Sequence, residues 1–485
     1  MASALDGLKP ELVWKYFGEI SRIPRCSKNE AAMTKYVLDT AKKLGLEASA
    51  DKFGNVVVRK KASAGRGGAR SIALQGHLDM VCEKNKDKVH DFTKDPISLV
   101  RKGNMLMADG TTLGADNGIA VATNLAIMED IKLEHGPLEF LFTVDEETGL
   151  TGASNLESNF LKSKTLINLD SEEEGALYVG CSGGRDSVAT WKIDPEKAPG
   201  QSTPVEIRVT GLKGGHSGLE IDKNRGNAIK ILNRALLLLA ELGGRLSRFD
   251  GGNKRNAIPR EAEAVIVIPN KKLDRAQEII NTFCDTIRGE LGQADPGLMI
   301  SMTRMEKAKK VRVIGKRDQR HLLKAISALP HGVIKMSSDI PGLVETSTNV
   351  AVIGTSKKSI VLATSQRSSV ASELNEMVET VSHIFALGDA EVENTDGYPG
   401  WRPNLASEIL KIAESTYKSL YGREPEVKAI HAGLECGIIG ERMPGMDMVS
   451  FGPTLEGVHS PDEKIHIDTV EKYWAFLIGI LKNVN

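Results

Sequence analysis

The sequence predicts an α/β protein of two domains: a mostly parallel sheet covered by helices, and an α+β domain inserted into it. Three observations lead to this prediction. A chain of 485 residues is longer than one hydrophobic core usually supports. In the first part of the chain, short apolar runs alternate with amphipathic helical patterns, as in parallel sheets that are covered on both faces. Near residues 185–205 the pattern changes to paired strands with long helices, and it reverts after the segment TDGYPGWRPN.

The first domain is predicted from residues 1–187 and 392–485. The segment PELVWKYFGEISRI has the apolar spacing of a helix, and SKNEAAMTKYVLDTAKKLG predicts a second helix, capped by Ser27 and ended by Gly45. Four segments have the composition of strands: NVVVRK, SIALQGHLDMV, PLEFLFTVDEE and TLINLD. NGIAVATNLAIMED is a predicted helix between the second and third of them. In sheets of this kind, ligands bind beyond the carboxyl ends of the strands.

The inserted domain is predicted from residues 188–391. The Pro- and Gly-rich segment DPEKAPGQSTP is a candidate boundary or exposed turn. Strands are predicted at VEIRVTGL, EAEAVIVIP, NVAVIGT and SIVLATSQRS, and helices at RGNAIKILNRALLLLAELGG, RAQEIINTFCDTIRGELG and VASELNEMVETVSHIFALG. This order predicts one sheet with helices on one face.

Charge and cysteine content narrow the class of partner. The net charge is −1, with 63 Lys and Arg against 64 Asp and Glu, so we expect neither nucleic acid nor a membrane surface as a partner. The N-terminus lacks the pattern of a signal peptide, no apolar run is long enough to span a bilayer, and a cytoplasmic location is expected. The five cysteines are scattered without a C-x-x-C pair, which argues against a disulfide framework and against a thiolate zinc site.

Histidine and acidic residues follow the predicted strands or lie in nearby loops. They are His77 and Asp79 in GHLD, Asp116 in LGADNG, Asp145, Glu146 and Glu147 in VDEETG, Asp170 in NLDS, and His459 in GVHSPDE. Each alone is more simply explained as a helix cap or a structural hydrogen-bond partner. Together at one sheet edge, however, carboxylates repel one another unless a cation is present. Two metal ions explain the set better than one, with one of the two adjacent glutamates as a ligand and the other as a general base.

The kinds of side chain in this set indicate the metal. Imidazole and carboxylate donors without thiolate suit zinc, manganese or cobalt in a site that keeps an open position.

Several motifs give the chain a family resemblance that runs from about residue 10 to the C-terminus. GHLDMV, GTTLGADNGIA, DEETG, NLDSEEEG and HSPDE resemble, in order, the metal-site motifs of the dinuclear metallopeptidases that include aminoacylase, carnosinase and glutamate carboxypeptidase. GLKGGHSG and RNAIPREA resemble motifs of that family's inserted domain. VHDFTKDPI, YPGW and IHAGLECG resemble the branch of non-specific dipeptidases, also called Xaa-His dipeptidases.

The resemblance implies a role for each residue of the site. Asp116 would bridge two divalent ions, most simply Zn²⁺ with Mn²⁺ or Co²⁺ as alternatives, and the Asp116–Asn117 peptide would be cis. His77 and Asp170 would bind one ion, and Glu147 and His459 the other.

The catalytic roles follow from the same resemblance. Glu146 would be the general base, and Asp79 would hold the second ring nitrogen of His77. His216 in KGGHSG would stabilise the oxyanion, in dimers at the active site of the neighbouring subunit.

The resemblance also implies substrate contacts and an assembly. Asn256 and Arg367 would bind the substrate carbonyl or carboxylate, and Gly433 and Glu435 would face the substrate. The inserted domain would act as a lid and as the contact of a homodimer. His90, His431 and His466 are interpreted as structural or peripheral, which leaves His431 outside the predicted site.

The predicted activity is hydrolysis of unblocked dipeptides by a metallo-dipeptidase. Two enzyme alternatives in the same family stay open, a tripeptide aminopeptidase and an N-acyl amino acid deacylase. A non-catalytic metal-binding protein is a further alternative. It would be indicated by loss of a ligand or of the base, and here the five ligand positions and the base position are all occupied by suitable residues.

Overall fold

The computed structural model describes residues 4–305 and 311–485, which form two compact units. Unit 1 comprises Met1–Gly180, Trp401–Ala429 and Leu434–Asn485, and unit 2 comprises Cys181–Gly400 and Ile430–Gly433. The boundaries expected at residues 188 and 391, and the lid and dimerisation roles of the inserted domain, stay predictions. Among the described helices, none combines the length and the apolar character needed to cross a bilayer.

The described residues form twelve α-helices. They are α1 (Glu11–Ile20), α2 (Ala31–Lys43), α3 (Ala115–Glu129), α4 (Glu146–Gly149), α5 (Thr151–Ser154), α6 (Ala228–Glu241), α7 (Leu273–Leu291), α8 (Lys316–Ala328), α9 (Ala371–Leu387), α10 (Glu408–Tyr421), α11 (Glu435–Arg442) and α12 (Ile467–Asn483). The helices predicted at the start of the chain are α1 and α2, and those predicted in the inserted region are α6, α7 and α9.

The described strands number twenty-five. They are β1 (Glu47–Ala50), β2 (Val56–Lys60), β3 (Ile72–His77), β4 (Leu99–Lys102), β5 (Met105–Ala108), β6 (Leu138–Thr143), β7 (Thr165–Asn168), β8 (Ala176–Cys181), β9 (Gly183–Lys192), β10 (Glu196–Lys197), β11 (Ser202–Thr210), β12 (Gly215–His216), β13 (Arg245–Gly251), β14 (Ala257–Ile258), β15 (Ala262–Pro269), β16 (Met299–Arg304), β17 (Arg312–Val313), β18 (Gly332–Met336), β19 (Val344–Thr355), β20 (Ser359–Ser368), β21 (Glu391–Asn394), β22 (Glu426–Ile430), β23 (Asp447–Ser450), β24 (Leu455–Glu456) and β25 (Lys464–His466).

The main sheet of unit 1 has eight strands in the order β1-β2-β6-β3-β7-β23-β8-β22. Its central strands β6, β3, β7 and β23 run parallel, whereas β2 joins β6 and β8 joins β23 in antiparallel pairs. Every residue of β3 and β6 is buried, which explains why these strands are continuous apolar runs rather than alternating ones. The largely parallel α/β sheet is therefore confirmed, and the carboxyl ends of β3, β6 and β7 meet at one edge.

A second sheet of unit 1 has four strands in the order β24-β25-β5-β4. Ile465 of β25 pairs with Leu106 of β5. This pairing brings the loop before β25, which contains His459, close to the chain that leads into α3 and Asp116.

Unit 2 is built on a nine-stranded sheet. Its order is β16-β11-β15-β13-β19-β20-β9-β21, with β18 paired to β19, and its neighbouring strands are antiparallel. The helices α6 to α9 pack against this sheet. Its core includes Trp191, Phe249, Leu236 and Phe385, all of which are buried. Antiparallel strands with packed helices agree with the α+β character predicted for the inserted region.

The structure corrects two expectations. Ser27 is not a helix cap: α2 begins at Ala31, and the Ser27 hydroxyl donates to Asp79 Oδ2 at 2.8 Å. Cys26 and Cys82 form a disulfide between positions 56 residues apart in sequence. Cys26 forms an isolated parallel bridge with Met80, two residues before Cys82. This tertiary pairing brings together two cysteines whose spacing in the sequence does not indicate a disulfide. The remaining three cysteines are buried.

Candidate dinuclear metal centre

Three neighbouring strands of unit 1 end in the predicted ligands. His77 is the last residue of β3, the pair Glu146–Glu147 opens α4 just after β6, and Asp170 follows β7 by two residues. Because the carboxyl ends of parallel strands meet at one edge, these side chains converge although they lie far apart in sequence. Asp116 in the first turn of α3 and His459 in the loop between β24 and β25 complete the group.

Asp116 lies between the two histidines. Its Oδ1 is 3.2 Å from His77 Nε2, and its Oδ2 is 3.1 Å from His459 Nε2. On the first side, His77 Nε2 is also 3.4 Å from Asp170 Oδ1. On the second side, His459 Nε2 is also 3.0 Å from Glu147 Oε2. The five predicted ligands therefore form two groups of three that share one carboxylate, and each group has ligand atoms close enough to hold a metal ion.

The donor set fits two divalent cations. Each group offers one imidazole and two carboxylates, the hard and borderline donors that zinc, manganese and cobalt accept. Glu147 Oε1 is buried and has no hydrogen-bond partner among the described residues. A buried carboxylate oxygen without a donor is unfavourable unless a cation binds it.

The electrostatics of the group point in the same direction. His77 is fully buried, which opposes protonation, yet the carboxylates of Asp170, Asp116 and Asp79 raise its pKa well above the usual value. Hydrogen bonds to Asp116 and Glu147 raise the pKa of His459 to about 11. Both imidazoles are thus held in a strongly negative field. A metal cation would occupy the place that a proton takes in this field.

Glu146 has the environment of a proton acceptor of high basicity. Burial raises the pKa of its carboxyl well above 4.5, and the negative charges of Asp170, Glu435 and Glu147 raise it further, against the opposing effect of His77. A carboxylate poised in this way takes a proton more readily than one in water. Ligand atoms of Glu146, His77 and Glu147 also lie within 4.8 Å of one another, close enough to share a metal ion.

Asp79 connects His77 to the segment that contains the base. Its Oδ1 is 3.3 Å from His77 Nδ1, so His77 presents Nε2 to Asp116 and Asp170. The same carboxylate accepts from the backbone N–H groups of Glu146, at 3.0 Å, and Glu147, at 3.2 Å. Burial opposes ionisation of Asp79, but the nearby His77 imidazole and the hydrogen bond from the Glu146 N–H lower its pKa to about 2.

The start of α3 is distorted around Asp116. The Asp116–Asn117 peptide is cis, as the family resemblance predicts. The Asn117 side chain accepts from the His77 N–H at 3.2 Å and donates to the Leu169 carbonyl at 3.1 Å. It thereby ties α3 to the ends of β3 and β7, beside two ligands. Gly76 leaves room for this amide, because a Cβ there would lie 2.5 Å from Asn117 Oδ1.

Glu463 is a residue of this centre that the motifs in the sequence do not identify. It is 2% exposed and accepts four backbone N–H groups, from Leu113, Gly114, Ala115 and Asp116, at 2.7, 2.9, 2.7 and 3.2 Å. It lies four residues after His459, so one loop supplies the candidate ligand His459 and also anchors the segment that contains a second candidate ligand, Asp116. The signal available in the sequence was a second acidic residue in HSPDE, which reads as an exposed charge.

The predicted oxyanion-stabilising histidine and the predicted substrate-binding residues are distributed over both units. His216, Asn256, Arg367 and Gly433 lie in unit 2, and Glu435 lies in unit 1. Glu435 is 0% exposed and accepts from Gln75 Nε2 at 2.5 Å and Thr143 Oγ1 at 2.7 Å. Its second carboxyl oxygen has no partner among the described residues. Glu435 thus lies beneath the strand ends rather than at the surface of unit 1.

His216 has a defined tautomer in unit 2. Its Nδ1 accepts from the backbone N–H groups of Gly218 and Leu219, each at 3.1 Å. Burial lowers the pKa of His216, and the positive charge of Arg367 lowers it further. The neutral ring therefore carries its proton on Nε2, where it is a donor. Asn256 lies on the adjacent chain segment, because its carbonyl accepts from the Ser217 N–H at 2.9 Å.

Comparison with known proteins identifies the family. The model of peptidase family M20/M25/M40 matches residues 73–483. This chain belongs to that family. It is 41% identical over 483 residues to the cytosol non-specific dipeptidase of Escherichia coli (strain K12), covering 99% of both proteins.

Solved structures agree with this assignment. The aminoacylhistidine dipeptidase from Vibrio alginolyticus matches this family member with a TM-score of 0.92 at 40% identity, covering 99% of this chain and 98% of that one. Aminopeptidase PepT from Bacillus cereus ATCC 10987 matches at a TM-score of 0.58 and 17% identity, covering 98% of this chain and 99% of that one, a likeness of fold alone.

Proposed function

We propose that this chain is a dinuclear metal-dependent dipeptidase that hydrolyses unblocked dipeptides with broad specificity, Xaa-His dipeptides included. The observation that carries the proposal is the position of Asp116 between His77 and His459, with Asp170 and Glu147 completing two groups of ligand atoms. The dipeptidase activity named for the relatives from Escherichia coli and Vibrio alginolyticus, each about 40% identical along nearly the whole chain, supports the substrate class.

The proposed mechanism assigns a task to each residue. Two divalent cations at the ligand groups would polarise the scissile carbonyl and make a water molecule acidic near neutral pH. Glu146 would take a proton from the attacking water and return it to the leaving amine. Asp79, 3.3 Å from His77 Nδ1, would keep His77 in the ligating orientation. His216 would donate its Nε2–H to the oxyanion, and Asn256 and Arg367 would bind the substrate carbonyl and carboxylate.

Three further parts of the proposal concern the metal, the location and the assembly. Zinc suits the imidazole and carboxylate donors, with manganese or cobalt as alternatives. We place the protein in the cytosol, as the name of the Escherichia coli relative states for that protein. A homodimer formed through unit 2 follows from the family resemblance, and light scattering coupled to size-exclusion chromatography tests it.

The decisive experiment replaces the proposed base and leaves the ligands in place. Glu146→Gln should lower kcat by about 100- to 10,000-fold, because proton transfer by a positioned base contributes roughly that factor. Metal content, measured by mass spectrometry after reloading, should remain two ions per chain. Glu157→Gln, the same change at an exposed position, is the matched control and should keep full activity. A Glu146→Gln enzyme with near-normal kcat at full metal content would refute the proposal.

A substrate panel separates the proposed activity from its alternatives. Metal-free protein is reloaded with zinc, manganese or cobalt and assayed on free dipeptides, tripeptides and N-acylated amino acids. Hydrolysis of free dipeptides, with little on the other two classes, supports the proposal. Activity confined to tripeptides or N-acylated substrates would instead identify the corresponding aminopeptidase or deacylase.

A further inference from the structure

Arg367 is a buried cation of unit 2 that forms no ion pair with any described carboxylate. It lies near the end of β20 and is 7% exposed. Within the described part of unit 2 no carboxylate forms an ion pair with it, and its Nε has no hydrogen-bond partner there. Its Nη1 donates to the hydroxyl of Tyr398 at 2.7 Å. A guanidinium held this way in a buried place is costly unless an anion joins it.

Tyr398 is held in a narrow slot. Its N–H donates to the Gly184 carbonyl at 2.9 Å, and the Gly184 N–H donates to its carbonyl at 3.0 Å. A Cβ on Gly184 would lie 2.7 Å from the Tyr398 hydroxyl oxygen, and a Cβ on Gly433 would lie 2.8 Å from ring carbon Cε2. The ring therefore fills the space that side chains at two glycines would occupy. Main chain and ring together fix where the hydroxyl can be.

The sheet register places this slot directly beside Arg367. Gly184 of β9 is the pairing partner of Arg367 on one side, and Ser347 of β19 is its partner on the other. Ser347 Oγ is 2.7 Å from Nε2 of His431, two residues before Gly433. Strand pairing and side-chain contacts thus link six residues at this place, which we call the Arg367 cradle: Gly184, Ser347, Arg367, Tyr398, His431 and Gly433.

Tyr398 does not neutralise Arg367. Burial raises the pKa of its phenol above 10, against the lowering effect of Arg367, so the hydroxyl is uncharged near neutral pH. Burial lowers the pKa of His431 to about 3, and the charge of Arg367 contributes, so His431 is uncharged as well. The cradle therefore keeps one net positive charge, that of the buried Arg367 guanidinium. Its other two titratable groups, Tyr398 and His431, are uncharged.

We propose that Tyr398 is a positioning residue that aims the Arg367 guanidinium at the free carboxylate of the substrate, and so makes the enzyme selective for an unblocked C-terminus. This inference rests on the proposed dipeptidase function and deepens it. With Nη1 held by the hydroxyl, the remaining N–H groups of the planar fork are left in a fixed direction for a carboxylate. Without the hydroxyl, the guanidinium would be free to rotate. Part of the binding free energy of the carboxylate would then be spent on ordering the Arg367 side chain.

The test is Tyr398→Phe, which removes one oxygen and keeps the ring in its slot. We expect KM for alanyl-leucine to rise about tenfold with kcat changed by less than about twofold, because one hydrogen bond to a charged group is lost. KM for alanyl-leucine amide, which lacks the carboxylate, should stay the same. Tyr421→Phe is the matched control: Tyr421 also donates one hydrogen bond, to the Lys472 carbonyl at 2.7 Å, and its loss should affect neither substrate.

A second variant separates positioning from a merely structural role. In an Arg367→Lys background, Tyr398→Phe should add less than about twofold to KM, since the planar fork that it aims is absent. An equal rise of KM on dipeptide and amide, an unchanged KM on the dipeptide, or full additivity with Arg367→Lys would each overturn the inference.

Binding measurements keep the inference testable if hydrolysis is not observed. Two zinc-loaded proteins are titrated calorimetrically with alanyl-leucine and with its amide: Glu146→Gln, and Glu146→Gln combined with Tyr398→Phe. The titrations compare the affinities of the two proteins for each ligand without turnover. About tenfold weaker binding of the dipeptide alone supports the inference, even if the proposed activity fails. Equal affinity of both forms for the dipeptide overturns it, even if the activity stands.

Discussion

Glu463→Gln should loosen the segment that contains Asp116. Glu463 accepts four backbone N–H groups through its two carboxyl oxygens. In glutamine one oxygen becomes an amide nitrogen, so two N–H groups lose their acceptor and face another donor. Each lost bond to a buried charge costs about 1.5–3 kcal/mol, and the burial penalty of the charge itself is relieved. We expect a net destabilisation of about 3 kcal/mol and metal binding weaker by roughly 10- to 100-fold.

Two measurements on the wild type and two variants test this prediction. Urea unfolding in EDTA gives the stability without metal, and competition with a chromophoric chelator gives the metal affinity. Asp462→Asn makes the same charge change at the exposed neighbouring position and should match the wild type in both. If Glu463→Gln unfolds in EDTA with the free energy of the wild type, the four hydrogen bonds do not stabilise the segment, and the prediction is wrong.

Two further predictions concern stability under acid and the cysteines. Burial lowers the pKa of His331 to about 4, and Lys230 contributes, whereas the unfolded value is 6.5. As the pH falls, the unfolded chain thus binds the proton first, so this contribution to stability is complete above about pH 6.5 and is lost towards pH 4, on the order of 3 kcal/mol. In urea unfolding between pH 7.5 and 5, the free energy of unfolding of His331→Gln should therefore fall less steeply with pH than that of the wild type. An unchanged pH dependence would contradict this. Because Cys26 and Cys82 are bonded, protein denatured without reductant should show two fewer titratable thiols than after reduction, and equal counts would exclude the disulfide.

The parts of the site that depend on local pattern were predictable. An apolar run followed by a histidine or a carboxylate identifies a strand and the residue just beyond its end, and parallel strands place such residues together. His77, Asp170 and the Glu146–Glu147 pair were found in this way. Family motifs then divided them into ligands and base, a division that local pattern alone leaves open because neighbouring carboxylates look alike.

Contacts between distant segments were not predictable from pattern. Glu463 reads as a surface charge in a loop, and only the pairing of β25 with β5 buries it against the start of α3. Ser27 resembles a helix cap, but α2 begins four residues later, and the Ser27 hydroxyl donates to Asp79 instead. Tyr398 lies in the YPGW motif, which does not by itself indicate a role. Its contact with Arg367 depends on the strand register that pairs Gly184 with Arg367.

The sequence by itself determined the alternation of helices and strands, the residue types at the strand ends and therefore the kind of chemistry that the metal centre offers. These follow from the periodicity of apolar positions and from donor types, which are properties of short segments. The tertiary structure decided which oxygen of Asp116 meets which imidazole, which carboxylates are buried, and which buried cation has no ion-pair partner among the described residues. Those depend on register and packing between segments hundreds of residues apart, where burial makes each unpaired charge costly enough to matter.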